Sequence, residues 1–138
     1  MPFDNDPAPG LEARLRREIR GEIMFDAFSR GRYSTDASIY QIEPLGVVVV
    51  KNREDAAAAI AIARAERVPV LPRGAGTSQC GQTVARALVL DCSKHMDRVV
   101  SVDVEARRAR VQPGVVLDRL NRSLRQPVSY THLTLPTN

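Results

Sequence analysis

Nine consecutive residues hold most of the chemistry this 138-residue chain can offer: Arg73, Gly74, Ala75, Gly76, Thr77, Ser78, Gln79, Cys80 and Gly81. Glycines at 74, 76 and 81 let the backbone turn with positive φ and come close to a ligand. Successive N–H groups exposed in such a turn form a concave anion site, or nest. Thr77 and Ser78 add hydroxyl donors, and Arg73 adds a cation. The chemistry this favours is capture of a pyrophosphate, as in a dinucleotide. A plain glycine-rich connection without a ligand fits the same residues. Two common phosphate loops are excluded. No Gly-Lys-Ser/Thr follows, so this is not a Walker A loop. The glycines read G-x-G-x-x-x-x-G and lead towards a strand, not into a long helix, so this is not the doubly wound dinucleotide fingerprint.

The flanking elements must position this loop. Residues 47–50 are four valines, the pattern of a strand buried on both faces in a parallel sheet. Asn52 can cap the following helix, with Glu54 and Asp55 in its first turn favoured by the helix dipole. That helix is alanine-rich and can pack close to a sheet. Residues 68–71 form a second short strand between Pro69 and Pro72, so residues 47–72 read as a βαβ unit with parallel strands and a right-handed crossover. Residues 86–92 predict another strand. Residues 98–103 and 107–112 predict a hairpin turning at Glu105 and Ala106. Pro113 and Gly114 break the chain before a helix over 115–125, carried by Val116, Leu117, Leu120 and Leu124. Upstream, Leu11, Leu15, Ile19 and Ile23 recur every four residues, and Met24 and Phe28 extend the stripe. The spacing predicts one amphipathic helix over residues 11–28, mildly weakened by Gly21. Residues 32–45 are rich in short polar side chains that favour turns. The expected fold class is α+β: a small βαβ parallel subdomain, then the start of a mixed or antiparallel sheet subdomain.

Composition narrows the function classes. The net charge is +4, but Arg14, Arg16, Arg17 and Arg20 alternate with Glu12, Glu18 and Glu22, the pattern of a solvated helix face. Three Phe, three Tyr and no Trp leave few platforms for stacking bases, so nucleic acid is not an expected partner. Cys80 and Cys92 have no paired spacing, which points away from a zinc site or a disulfide framework and towards small buried residues in a reducing compartment. His95 and His132 are isolated, and no metal site is expected. No apolar run reaches the ~18 residues of a membrane span, and residues 1–10, a disordered lead-in, lack the features of a signal peptide. The expectation is a cytoplasmic chain.

An ordered series of motifs then matches a known family. V-V-V-V, E-D-A-A-A-A-I-A-I-A-R, V-P-V-L-P-R-G-A-G-T-S-x-x-G-Q, A-L-V-L-D-C-S-K-H-M and V-Q-P-G-V-V-L-D-R-L-N follow one another. Over residues 11–125 the chain resembles the N-terminal FAD-binding domain of FAD-linked oxidases of the vanillyl-alcohol oxidase / p-cresol methylhydroxylase type. The segment Y-S-T-D-A-S-I-Y-Q-I-E-P is similar to the D-lactate dehydrogenase and glycolate oxidase branch, including large bacterial proteins that join this module to an iron–sulfur part. The resemblance implies a partial FAD-binding domain. It places the FAD pyrophosphate on the backbone of Arg73, Gly74, Ala75, Gly76, Thr77 and Ser78, with Gly81 and Gln82 closing the loop and Pro113 and Gly114 beside the cofactor. Where covalent members of the family carry a histidine joined to the flavin, this chain has Thr77, which implies dissociable FAD. It also implies oxidation of a small 2-hydroxy acid by the longer parent, with the substrate domain and its base lying outside this chain. No catalytic residue is therefore assigned here. Residues 33–36 either line the approach to the flavin or form a structural turn, and Arg73 either offsets pyrophosphate charge or makes a surface ion pair.

Residues 126–138 depart from the rest: three of the six threonines fall in the last eight residues, and no Arg follows Arg125. They resemble the translation of a sequencing adapter joined to a truncated reading frame, and an ordinary flexible terminus is the other reading. The expected domain is residues 11–125, inactive alone and weak in FAD binding. A non-catalytic nucleotide- or phosphate-binding module remains the alternative.

Overall fold

The computed structural model describes residues 10–124. The expectations for residues 1–9 and 126–138 lie outside that range. In chain order the elements are α1 (Leu11–Glu18), β1 (Glu22–Met24), α2 (Ala27–Arg32), β2 (Gly46–Val49), α3 (Arg53–Ala65), β3 (Val70–Arg73), β4 (Leu88–Asp91), β5 (Val99–Asp103), β6 (Arg108–Val111) and α4 (Leu117–Leu124). The strands form a four-stranded sheet in the order β1-β2-β4-β3 and a separate two-stranded β5-β6 sheet.

The valine run forms β2 and is buried along its length, as is β4. Both β2 and β3 pair in parallel with β4. The expected parallel pair thus exists, but with β4 inserted between its two strands. Asn52 caps α3 by accepting the Asp55 N–H at 2.8 Å, and Ala59, Ile62 and Ala63 of α3 pack into the core with Leu11 and Leu15 of α1. The hairpin is antiparallel, with Val102 opposite Ala109 and Asp103 opposite Arg108. Its residues are exposed throughout.

The single helix expected over residues 11–28 is a correction. The helix stops at Glu18, and Glu22–Met24 becomes an antiparallel edge strand on β2. The cause lies outside the segment. The Arg20 N–H donates to the carboxylate of Asp55, and Gly21 lies so close to β2 that a Cβ there would stand 2.3 Å from the Val49 carbonyl oxygen. Ile23 still packs on the core, but as a strand residue. Asp55 exceeds its expected role at the helix dipole: it is buried and also accepts the Lys51 N–H at 3.1 Å, joining the α1–β1 connection to the start of α3.

Candidate functional site

The three parallel strands β2, β4 and β3 point their carboxyl ends the same way, and in open α/β sheets ligands bind just outside those ends. Residues 74–82 leave the carboxyl end of β3 there. Gly76 and Gly81 adopt φ of 69° and 72°, the left-handed region that favours glycine. Among the described residues, none of the backbone N–H groups of residues 74–79 donates to a protein acceptor. A run of free donors in a partly exposed loop is the donor set a diphosphate needs. Gly74 borders open space: a Cβ on it would have only the Pro113 carbonyl oxygen within 4 Å, at 3.7 Å. These features fit a bound pyrophosphate.

The same approach brings the Pro113 carbonyl beside Gly74 of the loop. Gly114 has a different reason to be glycine. It is buried, its N–H donates to the Met96 carbonyl at 2.8 Å, and a Cβ would stand 2.2 Å from the Cys92 carbonyl oxygen.

The side chains divide by their partners. Ser78 is occupied within the loop: its hydroxyl donates to Gln82 Oε1 at 2.6 Å and accepts the N–H groups of Cys80 and Gln82. Thr77 is exposed and makes no hydrogen bond to the described protein, which leaves its hydroxyl open to a ligand. The Arg73 guanidinium lies against Gly76 of the loop, where a Cβ would stand 2.5 Å from Nη2, and donates to three backbone carbonyls. Nη1 donates to the carbonyls of Tyr33 (3.3 Å) and Thr83 (3.0 Å), Nη2 donates to that of Thr35 (2.8 Å), and the group stacks 5.2 Å from the centroid of the Tyr33 ring.

Residues 33–36 are structural and are also tied to the loop. The Tyr33 hydroxyl donates to buried Asp91 Oδ2 at 2.6 Å, and burial first, then Asp91, pushes its pKa well above the ordinary tyrosine value. Asp36 accepts from Thr83 through both the N–H (3.3 Å) and the hydroxyl (2.9 Å), and also from the Ser38 N–H (2.9 Å). Hydrogen bonding by Ser38 foremost, with Thr83 adding to it, outweighs desolvation and holds the Asp36 carboxyl down at about 2. Sequence reasoning named Asp36 within residues 33–36 but not its bond to Thr83, and it missed Thr83 and Asp91 as partners of this site. The D-x-S spacing of Asp36 and Ser38 did mark a turn, but nothing local announces a contact 47 residues away. The cysteines need a correction: Cys80 is exposed in the loop, not buried, and Cys92 is half-buried beneath it with a thiol pKa raised by burial and then by Asp91. His95 lies in a loop beside Glu22.

The sequence pattern of the family described as "FAD binding domain" matches residues 44–135, more than half of the chain. The chain belongs to the FAD-binding domain family. Among curated relatives, this FAD-binding domain is 39% identical over 123 residues to a D-2-hydroxyglutarate dehydrogenase of Escherichia coli, covering 87% of this chain and 12% of the relative. It is 38% identical over 104 residues to the glycolate oxidase subunit GlcD of Bacillus subtilis, covering 72% and 22%. The chain therefore spans between about an eighth and a quarter of these relatives' lengths. Its fold matches p-cresol methylhydroxylase with a TM-score of 0.68 at 14% identity, over 86% of this chain and 24% of the other. The α+β architecture and the resemblance to p-cresol methylhydroxylase-type domains are both borne out. None of the described helices is long and apolar enough to cross a membrane.

Proposed function

We propose that residues 73–78 hold the pyrophosphate of non-covalently bound FAD, as part of a flavoprotein that oxidises a small 2-hydroxy acid of the D-lactate or glycolate kind. The observation that carries this reading is the run of unpartnered N–H groups over residues 74–79 at the carboxyl end of a parallel sheet, in a chain of this family. FAD, when bound, supplies hydride acceptance, and the protein supplies position and electrostatics. Here Gly74 admits the close approach, Thr77 offers a hydroxyl but no nucleophile for attachment to the flavin, Ser78 and Gln82 brace the loop from within, Gly81 supplies its positive-φ turn, and Pro113 and Gly114 form the neighbouring wall. Ala75 contributes its backbone N–H. The 2-hydroxy acid is inferred from relatives named D-2-hydroxyglutarate dehydrogenase and glycolate oxidase subunit. The substrate-binding region, and an iron–sulfur partner, belong to the longer parent. The free thiols of Cys80 and Cys92 suit a reducing compartment and hence the cytoplasm.

A thermal-shift panel of FAD, FMN, ATP and sugar nucleotides at millimolar concentration tests the site. A response selective for FAD is expected. An equal response to every phosphate ligand would support the alternative, a general phosphate-binding module. On its own the chain is expected to bind FAD more weakly than micromolar and not to turn over, because it spans no more than about a quarter of the length of its relatives. A fluorescence titration giving sub-micromolar affinity would overturn that second expectation.

A further inference from the structure

We propose that residues 33–38 act as a clamp that sets the shape of the cofactor loop, with Arg73 and Asp36 as positioning residues at its two ends. At the entry to the loop, Arg73 donates to the carbonyls of Tyr33 and Thr35. At the exit, Thr83 donates twice to Asp36. The Arg73 guanidinium also reaches the Thr83 carbonyl, so one side chain spans both ends of the loop it starts. The clamp is itself anchored. Tyr33 is fixed on Asp91 of β4, the Ser34 hydroxyl donates to the Gly31 carbonyl at 2.7 Å, and the Ser34 carbonyl accepts the Ile42 N–H at 2.8 Å. Tyr40 lies against Gly81 on the far side, where a Cβ would meet its ring at 2.5 Å.

Such bracing has a clear use. A glycine-rich loop with unpaired N–H groups is free to sample many conformations, and fixing it only when the ligand arrives would lower affinity. Fixing it beforehand removes that cost. The role needs the planar fork of Arg, because three carbonyls in different directions suit a guanidinium and not a compact ammonium. Arg73 then acts through geometry: its guanidinium is held by the carbonyls of Tyr33, Thr35 and Thr83 while lying against Gly76 of the loop.

The functional half of this inference rests on the cofactor reading above, while the geometric half stands by itself. The test uses 15N NMR on the full chain as wild type, Arg73→Lys, Asp36→Asn and Thr83→Val, with inorganic pyrophosphate as the ligand. In the wild type, residues 74–79 are expected near the rigid order parameter of about 0.85, falling below about 0.6 in Arg73→Lys and Asp36→Asn while β2 and β4 remain unchanged. Arg73→Lys is further expected to weaken pyrophosphate binding about tenfold without altering its salt dependence, because the charge is kept and the fork is lost. Loop order retained in both Arg73→Lys and Asp36→Asn overturns the clamp, and so does wild-type affinity in Arg73→Lys. Thr83→Val, which removes a single hydroxyl, is the milder check should either of the other variants fold poorly, and it too must loosen the loop. Pyrophosphate that leaves the wild-type loop amides unmoved overturns the cofactor reading instead, and the order parameters still decide the clamp.

Discussion

At the scale of single residues, two glycines in the candidate site answer to different physics. A side chain at Gly114 would meet two backbone carbonyls, at 2.2 and 2.8 Å, and neither can turn aside cheaply. Gly114→Ala is expected to cost about 2–3 kcal/mol of stability by overpacking. Gly74 has no positive φ and nothing closer than 3.7 Å, so Gly74→Ala is expected to change stability by less than about 0.5 kcal/mol. Urea denaturation of both variants checks the contrast, and comparable losses would show that Gly74 serves packing and not ligand approach. Asp36 adds a pH dependence. Its folded pKa of about 2 lies below the ordinary aspartate value, so its contribution is present above roughly pH 4 and is lost as the pH falls through 2. The loop is expected to stay ordered at pH 3 and to loosen towards pH 2, followed by the amide resonances of residues 74–79, with Asp36→Asn loosened at every pH. The glycines were legible in the sequence because their rarity and spacing are local facts. The pairing of Asp36 with Thr83 and the bond from Arg73 to the Thr35 carbonyl were not, because both depend on chain segments about forty residues apart.

At the scale of elements, legibility followed whether the deciding contact was local. The valine run of β2, the Asn52 cap of α3 and the alternating hairpin each carry their own signal, and each formed near its expected bounds. The segment after α1 did not, because Ile19 and Ile23 keep a helical spacing while Gly21 and Arg20 answer to β2 and α3. This difference gives a test with opposite signs. In a continuous helix, Gly21→Ala would stabilise by about 1 kcal/mol. Against the Val49 carbonyl oxygen at 2.3 Å, it is expected to destabilise by about 2 kcal/mol or more, since the obstacle is strand backbone. The shift of the thermal midpoint decides by its direction alone. The same reasoning explains β4: its apolar run announced a buried strand, but its place between β2 and β3 is set by topology that no local pattern encodes.

At the scale of the whole molecule, burial is uneven. The core cluster draws on α1, β2, α3 and β4, with Met96 at its margin, and includes nothing from β5 or β6. The hairpin carries one face of alternating polar residues, Ser101, Asp103, Arg108 and Arg110, and an opposite face with Val102, Ala109 and Val111, yet both faces are exposed. A two-stranded ribbon without a covered face is marginal by itself. Local opening free energies run from near zero at such segments up to the global value in core strands. Hydrogen exchange of the full chain should therefore divide sharply. Amides of Val89 and Leu90 in β4, hydrogen-bonded between two parallel neighbours, are expected to exchange only through near-global unfolding, and those of β5 and β6 at least about a hundredfold faster. Equal protection of hairpin and core would mean that the valine face is covered in solution. Repeating the exchange at tenfold dilution would then separate the two sources of cover, because protection lent by a second copy fades on dilution and protection from within the chain does not.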